Sequence, residues 1–172
     1  MSIYQRKFNK VSSSSKVKVE KINVENYKDR GIKKILLPSR GLLATETIIS
    51  GCDLAKQLGA ELTVLHIVVL PFLLPLSSSL FQSEMYSESI LNRAVAIGED
   101  KKVKVIPKTI KARSVVKAIL ETAEKGDVDL IIVGSKNSQT LGPTTKKILQ
   151  KAKCRVWVIS PTKKKLLKEE QV

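Results

Sequence analysis

Aromatic residues are scarce in this chain: 4% of 172 residues, with one tryptophan, three tyrosines and three phenylalanines. A core built from it must be aliphatic. Cysteine is scarcer still, and Cys52 and Cys154 each sit inside an apolar segment. Two such thiols make no disulfide framework and imply reduced, buried side chains in a cytoplasmic protein. The single histidine, His66, has no cysteine, histidine or acid at metal-ligand spacing, so a structural role is expected and no metal site. Acids are also in short supply, 16 against 31 lysines and arginines, which leaves a formal net charge of +15. That balance favours an anionic partner: nucleic acid, a phosphorylated ligand or an acidic membrane surface. Long hydrophobic runs are missing too. The longest apolar stretch, 62–76, is interrupted by His66, Pro71 and Pro75 and is too short to span a bilayer. The basic N-terminus has no apolar run of the kind a secretory signal carries. Membrane insertion is therefore not expected.

What is present is an alternation of two periodicities. Residues 1–30 are basic and include Ser12 to Ser15 in a row, which reads as a flexible arm, although 16–20 alternates like a strand that docks on an edge. Residues 33–41 form the first clear strand and its loop. Residues 45–58 carry apolar side chains at Ile48, Ile49, Cys52, Ala55 and Leu58, the spacing of a helix with one buried face, and Gly59 ends it. Residues 61–69 are apolar almost throughout, as in a strand covered on both faces. A Pro- and Ser-rich connection leads to a helix over 83–98, with Tyr86, Ile90, Ala94 and Ile97 on one side. A weaker strand follows at 102–110, where Pro107 suits an edge. Ser114 caps a further helix, 128–133 is a strand, Pro143 opens a helix, and 155–159 is the last strand. Residues 161–172 form a charged tail. The order β-α-β-α-β-α-β-α-β, with right-handed crossovers, predicts an α/β fold: a parallel sheet with helices on both faces. Ligands bind such sheets outside the carboxyl ends of the strands, where the winding reverses. That places a candidate site in the loops after the first and fourth strands, at Pro38, Ser39 and Arg40 and from Val133 and Gly134 to Gly142. The start of the helix after Gly142 offers unpaired backbone N–H groups to an anion.

Three stretches resemble the universal stress protein family. Residues 35–41, Ile-Leu-Leu-Pro-Ser-Arg-Gly, match its opening strand. Residues 54–68 match its first helix and second strand. Residues 129–135 and 142–159 match its fourth strand, last helix and final strand. The likeness runs over about 32–160, so the domain is placed at 31–160. The resemblance implies a three-layer open sheet of five parallel strands in the order 3-2-1-4-5, a Rossmann-like fold of the adenine nucleotide alpha hydrolase-like kind. It implies a homodimer through the last strand, with Val156, Trp157, Val158 and Ile159 at the contact. One branch of the family binds ATP through G-x2-G-x9-G-[ST]; neither branch is a conventional enzyme, with slow ATP hydrolysis at most.

This chain departs from that pattern. Gly134 holds the first glycine position, but Asn137 holds the second, and the span to Gly142 is about five residues shorter. Pro143 stands at the [ST] position with neither N–H nor hydroxyl, and Arg40 stands where ATP-binding members have an aspartate. Each lost polar contact costs about 1–3 kcal/mol, so several together turn micromolar binding into roughly millimolar. Thr144 and Thr145 offer hydroxyls, Ile67 lies at the end of the second strand, and Arg40, Arg113 and Lys136 would make a basic mouth. Arg40 reads equally as a ligand clamp or as a plug. The expectation is a non-enzymatic binding or regulatory protein of the stress response with a vestigial or altered phosphate site, no required cofactor, and ATP or another phosphorylated compound as ligand. The alternative is a basic interaction module that grips nucleic acid, an anionic surface or a partner protein without a small ligand.

Overall fold

The computed structural model describes residues 2–6, 19–21, 23–28, 30–39, 45–135 and 141–160. The tail expected over 161–172 lies outside them. Chain order is β1 (Ser2–Arg6), β2 (Val19–Lys21), a 3-10 turn (Val24–Tyr27), β3 (Lys34–Ser39), α1 (Thr45–Leu58), β4 (Glu61–Val69), α2 (Phe81–Lys101), β5 (Val105–Ala112), α3 (Val115–Lys125), β6 (Leu130–Gly134), α4 (Pro143–Lys151) and β7 (Arg155–Ser160).

The strands form one sheet in the order β2-β1-β7-β6-β3-β4-β5. Its five-stranded core, β5-β4-β3-β6-β7, is parallel throughout and has the 3-2-1-4-5 order expected. Side chains alternate between two aliphatic cores. Ile35, Leu37, Leu62, Val64, Ile132 and Trp157 face α1 and α2, where they meet Ile48, Cys52 and Ala94. Leu36, Leu65, Ile131, Val133, Val156 and Val158 belong to the opposite core, with Ile119 of α3 and Ile148 of α4. Burial on both faces is why these strands read as continuous apolar runs. Gly59 takes φ +63° and ends α1 as expected. Helix α2 is longer than the sequence indicates, because Lys102 adopts a left-handed φ of 56° and closes it only there. This consumes the start of the expected third strand, and β5 begins at Val105. Pro107 does lie on an edge strand.

The joint at the middle of the sheet is short. Between β3 and β6 the register pairs Ile35 with Leu130 and Leu36 with Ile131. Below it, Asp129 Oδ2 accepts from the amides of both Lys33 and Lys34, each at 2.9 Å. Above it, Pro38 has no N–H to donate. The ladder stops two residues before that proline, so β3 and β6 part at the switch point.

The N-terminal region bears on two expectations. It is not a flexible arm throughout, because β1 runs antiparallel to β7, pairing Ile3 with Ile159 and Gln5 with Trp157, and β2 pairs with β1. The 3-10 turn docks as well: the Tyr27 ring meets Trp157 edge-on at 5.1 Å, with Arg30 over Tyr27 at 5.0 Å. The second is the dimer contact expected at Val156, Trp157, Val158 and Ile159. All four side chains are buried, and the backbone edge of β7 is already paired with the chain's own first strand.

Two outcomes follow from these contacts. Asp129→Ala removes a carboxylate that two amides share, and should lower unfolding free energy in urea by about 1–3 kcal/mol. Deleting residues 1–21 should bare the β7 edge, which is then a template for another chain. The truncated protein should self-associate with concentration more strongly than the full chain in sedimentation or light scattering. A truncated chain that remains monomeric contradicts this account of the edge.

Candidate functional site

The opening between β3 and β6 has a floor and a rim. Ser39 and Val133 are buried and Pro38 is half-buried, which makes them the floor. Gly134 and Gly142 are exposed and Thr144 is half-exposed, which makes them the rim. Thr145 is buried at 6% exposure, so its hydroxyl belongs to the protein interior and not to a ligand surface. Arg40, Lys136 and Asn137 lie outside the described residues.

The two glycines have different reasons to be there. A Cβ at Gly134 would stand 2.8 Å from Thr47 Oγ1 and 3.1 Å from Thr47 Cγ2. The absence of a side chain thus lets the first turn of α1 close over the end of β6. That packing demand accounts for Gly134 without any phosphate. Gly142 is different: its φ is −63°, open to any residue, and a Cβ there would meet nothing within 4 Å. No contact within the described chain calls for glycine at this position. It is the N-cap of α4 and gives no side-chain cap bond, and the first turn of α4 carries no acid. Pro143 at the first helical position removes one N–H. The amides of Thr144 and Thr145 then supply the positive end of the helix dipole to this face.

Ile67 stands apart from the other candidates. It lines a recess of about 340 Å³ between the end of β4 and the start of α2, together with His66, Val68, Gln82, Ser83 and Tyr86. His66, expected to be structural, is buried at 9% exposure and meets the Tyr86 ring edge-on at 6.0 Å. The β3–β4 register sets it opposite Ser39, whose main chain takes a hydrogen bond from the ring. Nδ1 is buried with no partner among the described residues. Sequence reading missed Tyr86 and Gln82 as recess walls, because helical spacing assigned Tyr86 to the core face; it is 45% exposed instead. Arg113, expected at a basic mouth, points to the 70–80 connection and donates to the Leu74 carbonyl at 3.1 Å.

Burial pushes the Cys52 thiol up to about 11 and raises that of Cys154 as well, so neither is a thiolate nucleophile near neutral pH. Among the described residues no group of three or more His, Cys, Asp or Glu could hold a metal ion. No described helix is long and apolar enough to cross a membrane.

A parallel sheet that parts at its winding reversal, with a helix N-terminus beside the gap, defines a doubly wound α/β protein. The family is specific: the model of the universal stress protein family matches residues 31–160, and this chain belongs to that family. Solved structures agree in fold. A universal stress protein from Archaeoglobus fulgidus in complex with dAMP superimposes with a TM-score of 0.59 at 15% identity, over 74% of this chain and 96% of that one. A family protein from Burkholderia pseudomallei gives 0.59 at 18% identity, over 75% and 97%. One from Arabidopsis thaliana with AMP bound gives 0.55 at 14% identity, over 80% and 97%. No curated protein matches the sequence.

His66 supplies a test of this geometry. Burial lowers its pKa from the ordinary 6.5, against a smaller opposing pull from the Ser39 main chain. The unfolded chain therefore takes up the proton first as pH falls. The contribution of His66 to stability is complete above about pH 6.5 and declines below it, down to the folded-state pKa. Because the chain has one histidine, its imidazole NMR titration should show a single midpoint below 6.5. His66→Gln should flatten the fall in unfolding free energy across the same window. A midpoint at or above 6.5 contradicts the burial described.

Proposed function

We propose that this chain is a regulatory protein of the stress response that works by binding a phosphorylated small molecule, not by catalysis. The phosphate rests on the start of α4, and the remainder of the ligand lies in the opening between β3 and β6. One observation carries this reading: Gly142 caps α4 with no side chain over its first-turn amides, and no described residue within 4 Å of the missing Cβ explains a glycine there. A backbone without a side chain at a helix N-terminus lets an anion approach closely. Membership of the family supports a ligand at this end of the sheet, and the relatives solved with dAMP and AMP make a nucleoside monophosphate the first candidate. The ATP pose of the family's glycine pattern is less well served. Pro143 withholds an amide, and the space at Gly134 is filled by Thr47.

A thermal-shift titration with AMP, ATP and inorganic phosphate tests the proposal. At about ten times Kd, one site stabilises the fold by about 1.4 kcal/mol, or about 3–6 °C for a chain of this size. Gly142→Asp places a carboxylate over the same amides. It should change stability by no more than about 0.5 kcal/mol, yet abolish the ligand-induced rise. If neither nucleotide nor phosphate raises the melting temperature, the proposal fails. A rise that survives Gly142→Asp moves the ligand away from α4.

A further inference from the structure

The connection between β4 and α2 displays a cluster of large apolar side chains to solvent. Phe72 is 83% exposed, Leu73 95% and Phe81 73%, and Val69, Leu76 and Met85 are each more than half exposed. A contiguous apolar patch left exposed on a protein surface commonly marks an interaction site. Nor is this a loose segment. Leu74 N donates to the Pro71 carbonyl at 3.1 Å and Ser78 N to that of Pro75 at 3.0 Å, which makes two consecutive turns. The end of β5 ties them down: Arg113 Nη2 donates to the Leu74 carbonyl at 3.1 Å, and Lys111 Nζ to the Ser78 carbonyl at 2.8 Å. The Arg113 guanidinium also lies over the Phe72 ring, 4.6 Å from its centroid. Leu70 N closes the base on the Ala112 carbonyl at 3.0 Å. The result is an apolar tip braced by cations.

We infer that this loop is a docking wedge for an anionic lipid surface, with Phe72 and Leu73 entering the interface and the basic body of the protein facing the headgroups. Charge selects the occupant. Residues 70–83, the connection and the first residues of α2, carry no charge, while the whole chain carries +15. A second copy brought tip to tip would set two such charges against each other, whereas a bilayer of anionic lipid attracts them. Lys111 is matched by Glu84 at 2.7 Å and Lys117 by Glu121 at 3.7 Å, while exposed Lys108 lies on β5. An apolar wedge and a basic surface are the two signals that reversible membrane association needs together. The inference does not depend on a ligand at α4.

Co-sedimentation of the full chain with phosphatidylcholine vesicles, with and without phosphatidylserine, tests it. Binding should require phosphatidylserine and weaken steeply with added salt. The double substitution Phe72→Ser, Leu73→Ser should reduce the bound fraction at least about tenfold. Both side chains are solvent-exposed, so the melting temperature should hold, as should any shift with AMP or phosphate. Absence of binding to phosphatidylserine vesicles overturns the proposal. So does binding that the double substitution leaves unchanged, since the basic surface alone would then suffice. A wild-type dimer that the double substitution dissociates, with no vesicle binding, overturns it in favour of a second copy.

Discussion

The pairing of β3 with β6 is the joint on which the rest of the molecule depends. It is only two register pairs long, Ile35 with Leu130 and Leu36 with Ile131. Charge-assisted bonds hold its lower end, where one Asp129 oxygen serves two successive amides. Its upper end opens because Pro38 cannot donate. The winding of the chain reverses across this joint. Helices α1 and α2 therefore cover one face and α3 and α4 the other, and the aliphatic residues divide into two cores. The same reversal leaves a gap at the carboxyl ends of the strands, with the starts of α1 and α4 on either side. The closed and the open end of the sheet's midline are thus opposite ends of one contact.

The two edges of the five-stranded parallel core are handled differently. β5 is protected by its own sequence: Pro107 and the exposed Lys108 make a poor template for a further strand. β7 has apolar residues at every position from Val156 to Ile159, and would be an invitation to another chain. Here β1 fills that edge from within. Tyr27 then seals the end of Trp157, whose indole N–H is buried without a partner among the described residues. The carboxyl end of the sheet lies away from this pairing. It carries both the α4 start and the apolar loop braced by Arg113 and Lys111.

Much of the architecture was legible from periodicity. Alternating patterns place all five parallel strands and four helices, Gly59 marks the end of α1, and Pro107 marks the sheet edge. Boundaries were less legible. The end of α2 depends on a left-handed lysine, Lys102, at a position where glycine or asparagine would have been the sign. The candidate site was legible as a place and less so as chemistry. Gly134 reads as half of a phosphate cradle, yet it is a glycine because Thr47 comes within 2.8 Å of where its Cβ would be. Thr145 reads as a free hydroxyl and is buried. Such roles depend on neighbours distant in the chain, and no local pattern records them.

The sequence by itself determined the layer order, the parallel core and the strongly basic balance. These follow from hydrophobic spacing, from right-handed crossovers and from counting charges, all of which are local or additive properties. Only the tertiary structure decided what meets the last strand. A five-residue segment more than 140 residues upstream takes the edge of β7, and a short basic segment with no marked period does not announce its pairing partner. The structure alone also decided that the proline-rich connection is a braced apolar tip, because the cations that hold it come from the far end of β5, a strand the sequence joins to it only through a whole helix.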